Sequence, residues 1–203
     1  MLTYGTGDLL HADADALVNT VNCVGVMGKG IALQFKRRYP DNFQAYQKAC
    51  QRGEVTVGTM FVTETGQLDG PRYVINFPTK IHWRTPSQMD YIDTGLTDLV
   101  RLLPALDIRS VAIPALGVGN GGLAWSHVER RLIRVLSKLP NIHATIYPPA
   151  PHTQSVSPER AQDWAGPITA VPQSGLSALL QPQAPITKAD REDILGYDPT
   201  TGV

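Results

Sequence analysis

The chain has 203 residues, 42% of them hydrophobic, with 18 basic and 18 acidic residues and two cysteines. That length and apolar content allow one ordinary domain plus an appendage. A net charge of zero excludes the strongly basic footprint of a protein that grips duplex DNA through many phosphates. No apolar run is long enough to span a membrane, and Cys23 and Cys50 make no disulfide framework. The segment Met1-Leu2-Thr3-Tyr4 has neither the basic start nor the apolar stretch of a signal peptide. A reduced, cytoplasmic protein is therefore expected.

In chain order, β-forming runs are expected at Leu2–Tyr4, Ala16–Thr20, Thr59–Thr63, Tyr73–Phe77, Ser110–Ala115 and His143–Tyr147. Helical patterns cover Gly30–Gln51, Gln88–Leu103 and Trp125–Leu139. In the last of these, Val128, Leu132, Val135, Leu136 and Leu139 make a buried stripe, and Glu129, Arg130, Arg131, Arg134 and Lys138 face water. Strands alternating with helices predict an α/β layer domain with a largely parallel, covered sheet. Composition changes at Pro148-Pro149-Ala150-Pro151: nine of the last 56 residues are proline. Residues 148–203 therefore read as a Pro-rich extension or linker, with short helical turns at Ser177–Leu180 and Ala189–Leu195. The charge is uneven across this boundary. Residues 1–150 carry 15 Lys+Arg against 12 Asp+Glu, a balance of +3, and residues 151–203 carry 3 against 6, a balance of −3.

Two glycine loops carry the chemistry. The run Asn22-Cys23-Val24-Gly25-Val26-Met27-Gly28-Lys29-Gly30-Ile31-Ala32 leaves a β-like segment and enters a helix. The run Leu116-Gly117-Val118-Gly119-Asn120-Gly121-Gly122-Leu123 does the same, with four glycines in six residues. Such loops expose backbone N–H groups, and the helix N-terminus behind them adds partial positive charge. Both suit a phosphate or diphosphate. In a sheet of this type, ligands bind beyond the carboxyl ends of the strands, where both loops sit.

With Gly7-Asp8-Leu9-Leu10 after the first strand and Val18-Asn19-Thr20-Val21-Asn22 leading into the first loop, residues 1–147 resemble a macrodomain, the ADP-ribose-binding α/β/α fold. The resemblance implies a three-layer α/β/α domain with a central mixed, largely parallel sheet. Within the family the chain is similar to the branch of DNA ADP-ribosyl glycohydrolase antitoxins (DarG-type), which is related to the human terminal ADP-ribose glycohydrolase. The residues that carry this are Met27-Gly28-Lys29-Gly30, Phe35-Lys36, Tyr39-Pro40, Gly58, Asn76-Phe77-Pro78-Thr79-Lys80 and Gly119-Asn120-Gly121-Gly122-Leu123.

The resemblance implies a hydrolase that removes ADP-ribose from modified thymine in single-stranded DNA and counters a DNA ADP-ribosyltransferase toxin. The alternatives are a hydrolase acting on ADP-ribosylated Asp or Glu side chains and a non-catalytic ADP-ribose reader. The partners implied are ADP-ribose, ADP-ribosylated single-stranded DNA and a cognate toxin. No cofactor is implied.

Residue by residue, the resemblance makes Lys80 the catalytic group, as a nucleophilic amine or a proton donor. A lysine in either role needs a lowered pKa. Asp8 has two readings, an acceptor for the adenine amino group and the N-cap of a turn at Leu9–Ala12. Leu9 adds a backbone contact, and Asn22 lies toward the distal ribose. Asn19 reads as structural, bonding the backbone of its own loop. Gly28, Lys29, Gly30, Ile31, Ala32 and Thr79 line the first side of the ligand, and Leu116, Gly117, Val118, Gly119, Asn120, Gly121, Gly122 and Leu123 the second. Lys29 also reads as a solvated lysine between glycines.

His82, Trp83 and Arg84, next to Lys80, are candidates for DNA contact through base stacking and phosphate binding. Cys23 reads as a packing residue, with no base at a spacing that would activate it. Gly121 departs from the human enzyme, which carries an acid in this loop that helps release a lysine adduct. No His/Cys/Asp/Glu cluster has metal-ligand spacing, so no metal is expected.

Overall fold

The structure, a computed structural model, describes residues 1–67 and 69–149. The expectations for the Pro-rich extension and its two helical turns fall outside the described residues, apart from Pro148 and Pro149.

Among the described residues, six strands form one sheet: β1 (Leu2–Tyr4), β2 (Ala16–Asn22), β3 (Phe61–Glu64), β4 (Tyr73–Lys80), β5 (Ser110–Pro114) and β6 (His143–Tyr147). Their spatial order is β1-β6-β5-β2-β4-β3. Every neighbouring pair is parallel except β3–β4, which is antiparallel. The sheet is thus mixed and largely parallel, as expected.

Side chains alternate between its faces, the period of two that a pleated strand imposes. Ala16, Val18, Ile75, Phe77, Val111 and Ile113 belong to one core with α3 (Met89–Ala105) and α4 (Trp125–Leu136). Leu17, Val74 and Ala112 belong to a second, under α1 (Gly30–Arg38) through Phe35. Val21 and Met27 join Tyr46 and Ala49 of α2 (Pro40–Gln51) in a third. Burial on both faces makes this the three-layer α/β/α domain. Gly95 permits close approach on the α3 side, since a Cβ there would collide with the Phe77 ring. Among the described residues, no helix is long and apolar enough to cross a membrane.

Two expectations need correction. The pattern over Gly30–Gln51 is two helices, because Tyr39 adopts φ −129° and ψ 71° and Pro40 opens α2 at its first position. Proline disfavours helical backbone in the residue before it, but its fixed φ and missing N–H suit a helix start.

The second correction concerns β4, which does not stop at Phe77. It runs through Pro78 and Thr79 to Lys80. The parallel register with β2 pairs Val21 with Pro78, then Asn22 with Lys80, so Thr79 is an extra residue in the strand. Pairing with β3 reaches only Asn76. Proline is tolerated at such a bulge, beyond the reach of one neighbour.

Candidate active site

Lys80 is the last residue of β4 and is only 9% exposed. Its ammonium Nζ donates to the backbone carbonyl of Asn120, 2.8 Å away in the second glycine loop. Burial lowers its pKa, since desolvation penalises the charged form. The bulge at Thr79 sets which way Lys80 points, because inserting one residue reverses the in-out alternation beyond it. Thr79 itself is buried and donates its hydroxyl to the Val21 carbonyl at 3.4 Å.

The first loop is held by Asn22. Its Oδ1 accepts from the N–H groups of Val24 (3.0 Å) and Val26 (3.3 Å) and from the Tyr46 hydroxyl (3.2 Å). Its Nδ2 donates to the Val26 carbonyl at 2.6 Å, and Tyr46 also donates to its carbonyl at 2.6 Å. It is thus Asn22, rather than Asn19, that bonds the loop backbone. Asn19 is fully buried and donates to Asn76 Oδ1, its register partner on β4, at 3.0 Å. Asn76 in turn donates to Asn42 Oδ1 on α2 (2.7 Å) and to the Phe61 carbonyl (3.1 Å). This buried chain ties α2 and β3 to the strands beneath the site. Isolated asparagines in β-like runs carry no periodic signal of it.

The loop ends at Lys29, which occupies the N-cap position of α1 without a side-chain capping bond. The first turn of α1 thus lacks a side-chain cap and opens at an exposed Gly30 whose φ is +60°. The second loop includes a short 3-10 turn over Gly119–Gly121 and closes at Gly122, φ +79°. It comes close to the first: a Cβ on Gly30 would lie 3.4 Å from Asn120 Nδ2. Asn120 therefore lies at the junction of the two loops and Lys80. Leu116 and Gly117 are buried, and Gly119 and Gly122 open toward free space.

Asp8 caps the 3-10 turn Leu9–His11, accepting from Leu10 N–H at 3.0 Å and pairing with His11 at 3.0 Å. Leu9 packs beside Phe35, with Ile31 at the edge of the same cluster, which sets the Asp8 turn against the start of α1. The capping function is present, and a partly exposed carboxylate retains further acceptor capacity.

His82, Trp83 and Arg84 stack on one another. The His82 and Trp83 rings are 5.3 Å apart, and the Arg84 guanidinium lies 4.4 Å from the Trp83 ring centre. Burial pushes the Cys23 thiol up to about 12, far from a nucleophilic thiolate. Among the described residues no three His, Cys, Asp or Glu side chains group in a way that could hold a metal ion.

Ser87 was not marked by the sequence. It is buried, its N–H donates to the Gly121 carbonyl at 2.9 Å, and its side chain fills the space that a Cβ on Gly121 would need. The absence of an acid at position 121 thus has a steric counterpart. No motif links Ser87 to Gly121, 34 positions on in the sequence.

The Macro domain family model matches residues 18–132, and the chain belongs to that family. It is 65% identical over 156 residues to the DNA ADP-ribosyl glycohydrolase of Mycobacterium tuberculosis, covering 77% of this chain and 44% of that protein. The solved macrodomain of M. tuberculosis DarG is 68% identical with a TM-score of 0.73, covering 74% of this chain and 99% of that one. The Thermosipho africanus DarTG structure in complex with ADP-ribose is 36% identical with a TM-score of 0.65, covering 70% of this chain and 40% of that one. The chain spans about half the length of the curated relatives it matches.

Proposed function

We propose that this chain is the catalytic macrodomain of a DNA ADP-ribosyl glycohydrolase. It removes ADP-ribose from modified thymine in single-stranded DNA, in the cytoplasm, as antitoxin to a DNA ADP-ribosyltransferase. The observation that carries this reading is the placement of Lys80: buried, lowered in pKa and bonded to the loop that faces α1. A reader would have no use for a desolvated amine beside its phosphate loop. The names of the M. tuberculosis and T. africanus relatives support the DNA substrate and the toxin partner.

In this reading the diphosphate lies between Gly28–Ala32 and Gly117–Leu123, bound by loop N–H groups and the uncapped start of α1. Asp8 accepts from the adenine amino group, with the Leu9 backbone beside it. The Asn22 loop flanks the distal ribose. Lys80 then acts as a proton donor. Its ammonium gives a proton to the departing base as the bond from the anomeric carbon to the base nitrogen breaks. Water adds to that carbon and returns a proton to the amine, so ADP-ribose and the intact base leave.

A lowered pKa brings the donor nearer the operating pH, where proton transfer is effective. Ser87 fills the space where an adduct-releasing acid would stand, which favours this route over a covalent lysine adduct. Base release requires the modified nucleotide to leave the stack, hence a single-stranded or opened substrate. In this reading the stacked Trp83–Arg84 pair, three and four positions beyond Lys80 in the chain, meets such a base.

The test is parallel incubation with single-stranded DNA carrying ADP-ribosylated thymine and with protein carrying ADP-ribosylated Glu or Asp. Release from DNA supports the assignment. Release from protein alone would transfer it to the side-chain hydrolase, and binding without release from either would leave only a reader. Borohydride treatment during turnover should trap no lysine adduct; a trapped adduct would overturn the proton-donor route.

A further inference from the structure

Helix α4 begins directly after the second glycine loop. Val128, Leu132 and Leu136 are buried against the sheet, so the helical period turns Arg130 and Arg134 to the opposite, exposed side. Lys138, one further step of four along the chain, is also exposed. From Trp125 to Lys138 there are four basic residues, Arg130, Arg131, Arg134 and Lys138, and a single acid, Glu129.

The neighbours on both flanks are accounted for. Glu129 accepts from the Tyr4 hydroxyl at 2.8 Å, toward the β1 edge. Arg131 pairs with Asp93 of α3 at 2.8 Å on the other side. Between these flanks, Arg130, Arg134 and Lys138 make no ion pair with any carboxylate among the described residues. Arg130 bonds only the Ser126 carbonyl of its own helix, at 3.1 Å. Arg130 and Arg134 stand about 6 Å apart along the helix axis, Lys138 follows just beyond the helix end, and none of the three is neutralised. By contrast, α3 carries three aspartates against one arginine.

We infer that the outer face of α4 is a track for the phosphodiester backbone of the single-stranded DNA whose modified base enters the Lys80 site. This rests on the DNA reading above. Charge complementarity argues for a polyanion. Its continuity with the loop that holds Lys80 argues that the polyanion is the flanking strand of the substrate. Successive unpaired point charges suit a backbone read without regard to sequence. The chain as a whole is neutral, so such a track supplies local attraction without general affinity for nucleic acid.

The test uses the full chain with all three charges reversed, Arg130→Glu/Arg134→Glu/Lys138→Glu. Two probes are compared: a 12-nucleotide unmodified single strand followed by fluorescence anisotropy, and turnover of ADP-ribosylated thymine within the 12-mer or as the free nucleoside. Loss of three phosphate contacts should flatten the salt dependence of 12-mer binding by about two in the log–log slope, since each contact on a single strand contributes roughly 0.7. KM for the modified 12-mer should rise about tenfold or more, with kcat and turnover of the nucleoside unchanged. The neutral variant Arg130→Gln/Arg134→Gln/Lys138→Gln should fall between, and circular dichroism should show both folded. Unchanged 12-mer binding and salt slope in the charge-reversed protein would overturn the track. If the wild type fails to cleave either modified probe, the glycohydrolase reading falls, while the anisotropy arm still decides whether α4 binds single strands.

Discussion

At Lys80, burial lowers the pKa below the ordinary lysine value, because desolvation penalises the ammonium. As a proton donor it must be charged, so activity should fall as pH rises through that lowered value. The alkaline limb of the kcat profile should therefore lie below the pH at which a solvated lysine titrates. The same shift has a sign for stability. Between the folded and unfolded pKa the unfolded chain binds more protons, so unfolding free energy should increase with pH there. Denaturant titrations of the wild type against Lys80→Met should show this gain only in the wild type.

Asp8 and Asn22 separate binding from folding. Asp8→Ala should cost about 1 kcal/mol of stability as a lost cap and about 1.5–3 kcal/mol of ADP-ribose affinity as a lost charge-assisted bond. Calorimetry that shows unchanged affinity would reduce Asp8 to a cap. Asn22→Ala removes an acceptor shared by three donors, so about 1–3 kcal/mol of thermal or denaturant stability should go with the affinity. Affinity lost at full stability would instead mean a direct ligand contact.

At the scale of elements, the glycine loops and the alternating strands were legible because their signals are local. A strand, a glycine run and an amphipathic helix each announce themselves within a dozen residues. The break at Tyr39–Pro40 was equally local, but the apolar pattern continued across it and hid the change of helix axis. The extension of β4 was not legible. Pro78 reads as a terminator unless the partner strands are known, and only the register with β2 reveals that Thr79 is an inserted residue. Ser87 was invisible for the same reason: its importance lies in a contact with Gly121, distant in the chain.

That contact is testable. Gly121→Ala should destabilise the second loop by about 1–3 kcal/mol through overpacking and raise KM with it. Ser87→Gly in the same chain should recover most of the loss. Equal defects in the single and double variants would show that Ser87 does not set the loop.

For the molecule as a whole, the sheet order places β2, β4 and β5 at the centre, and the two glycine loops and Lys80 follow from their carboxyl ends. The candidate site residues are therefore gathered at one end of a scaffold buried on both faces. The family was readable from the order of three motifs, each weak alone. Since no metal-holding cluster occurs among the described residues, turnover should survive EDTA; loss restored by a divalent cation would require a ligand set elsewhere.

The central claim is that Lys80 performs the chemistry on ADP-ribosylated DNA. The most direct measurement follows ADP-ribose release from a single-stranded oligonucleotide carrying one ADP-ribosylated thymine, with ADP-ribose affinity measured on the same preparations. Wild type should release ADP-ribose. Lys80→Ala and Lys80→Arg should not, yet both should bind free ADP-ribose within a few-fold of wild type, because a group acting in the transition state contributes little to ground-state affinity. Release by Lys80→Ala at the wild-type rate would contradict the account and place the catalyst elsewhere in the cleft.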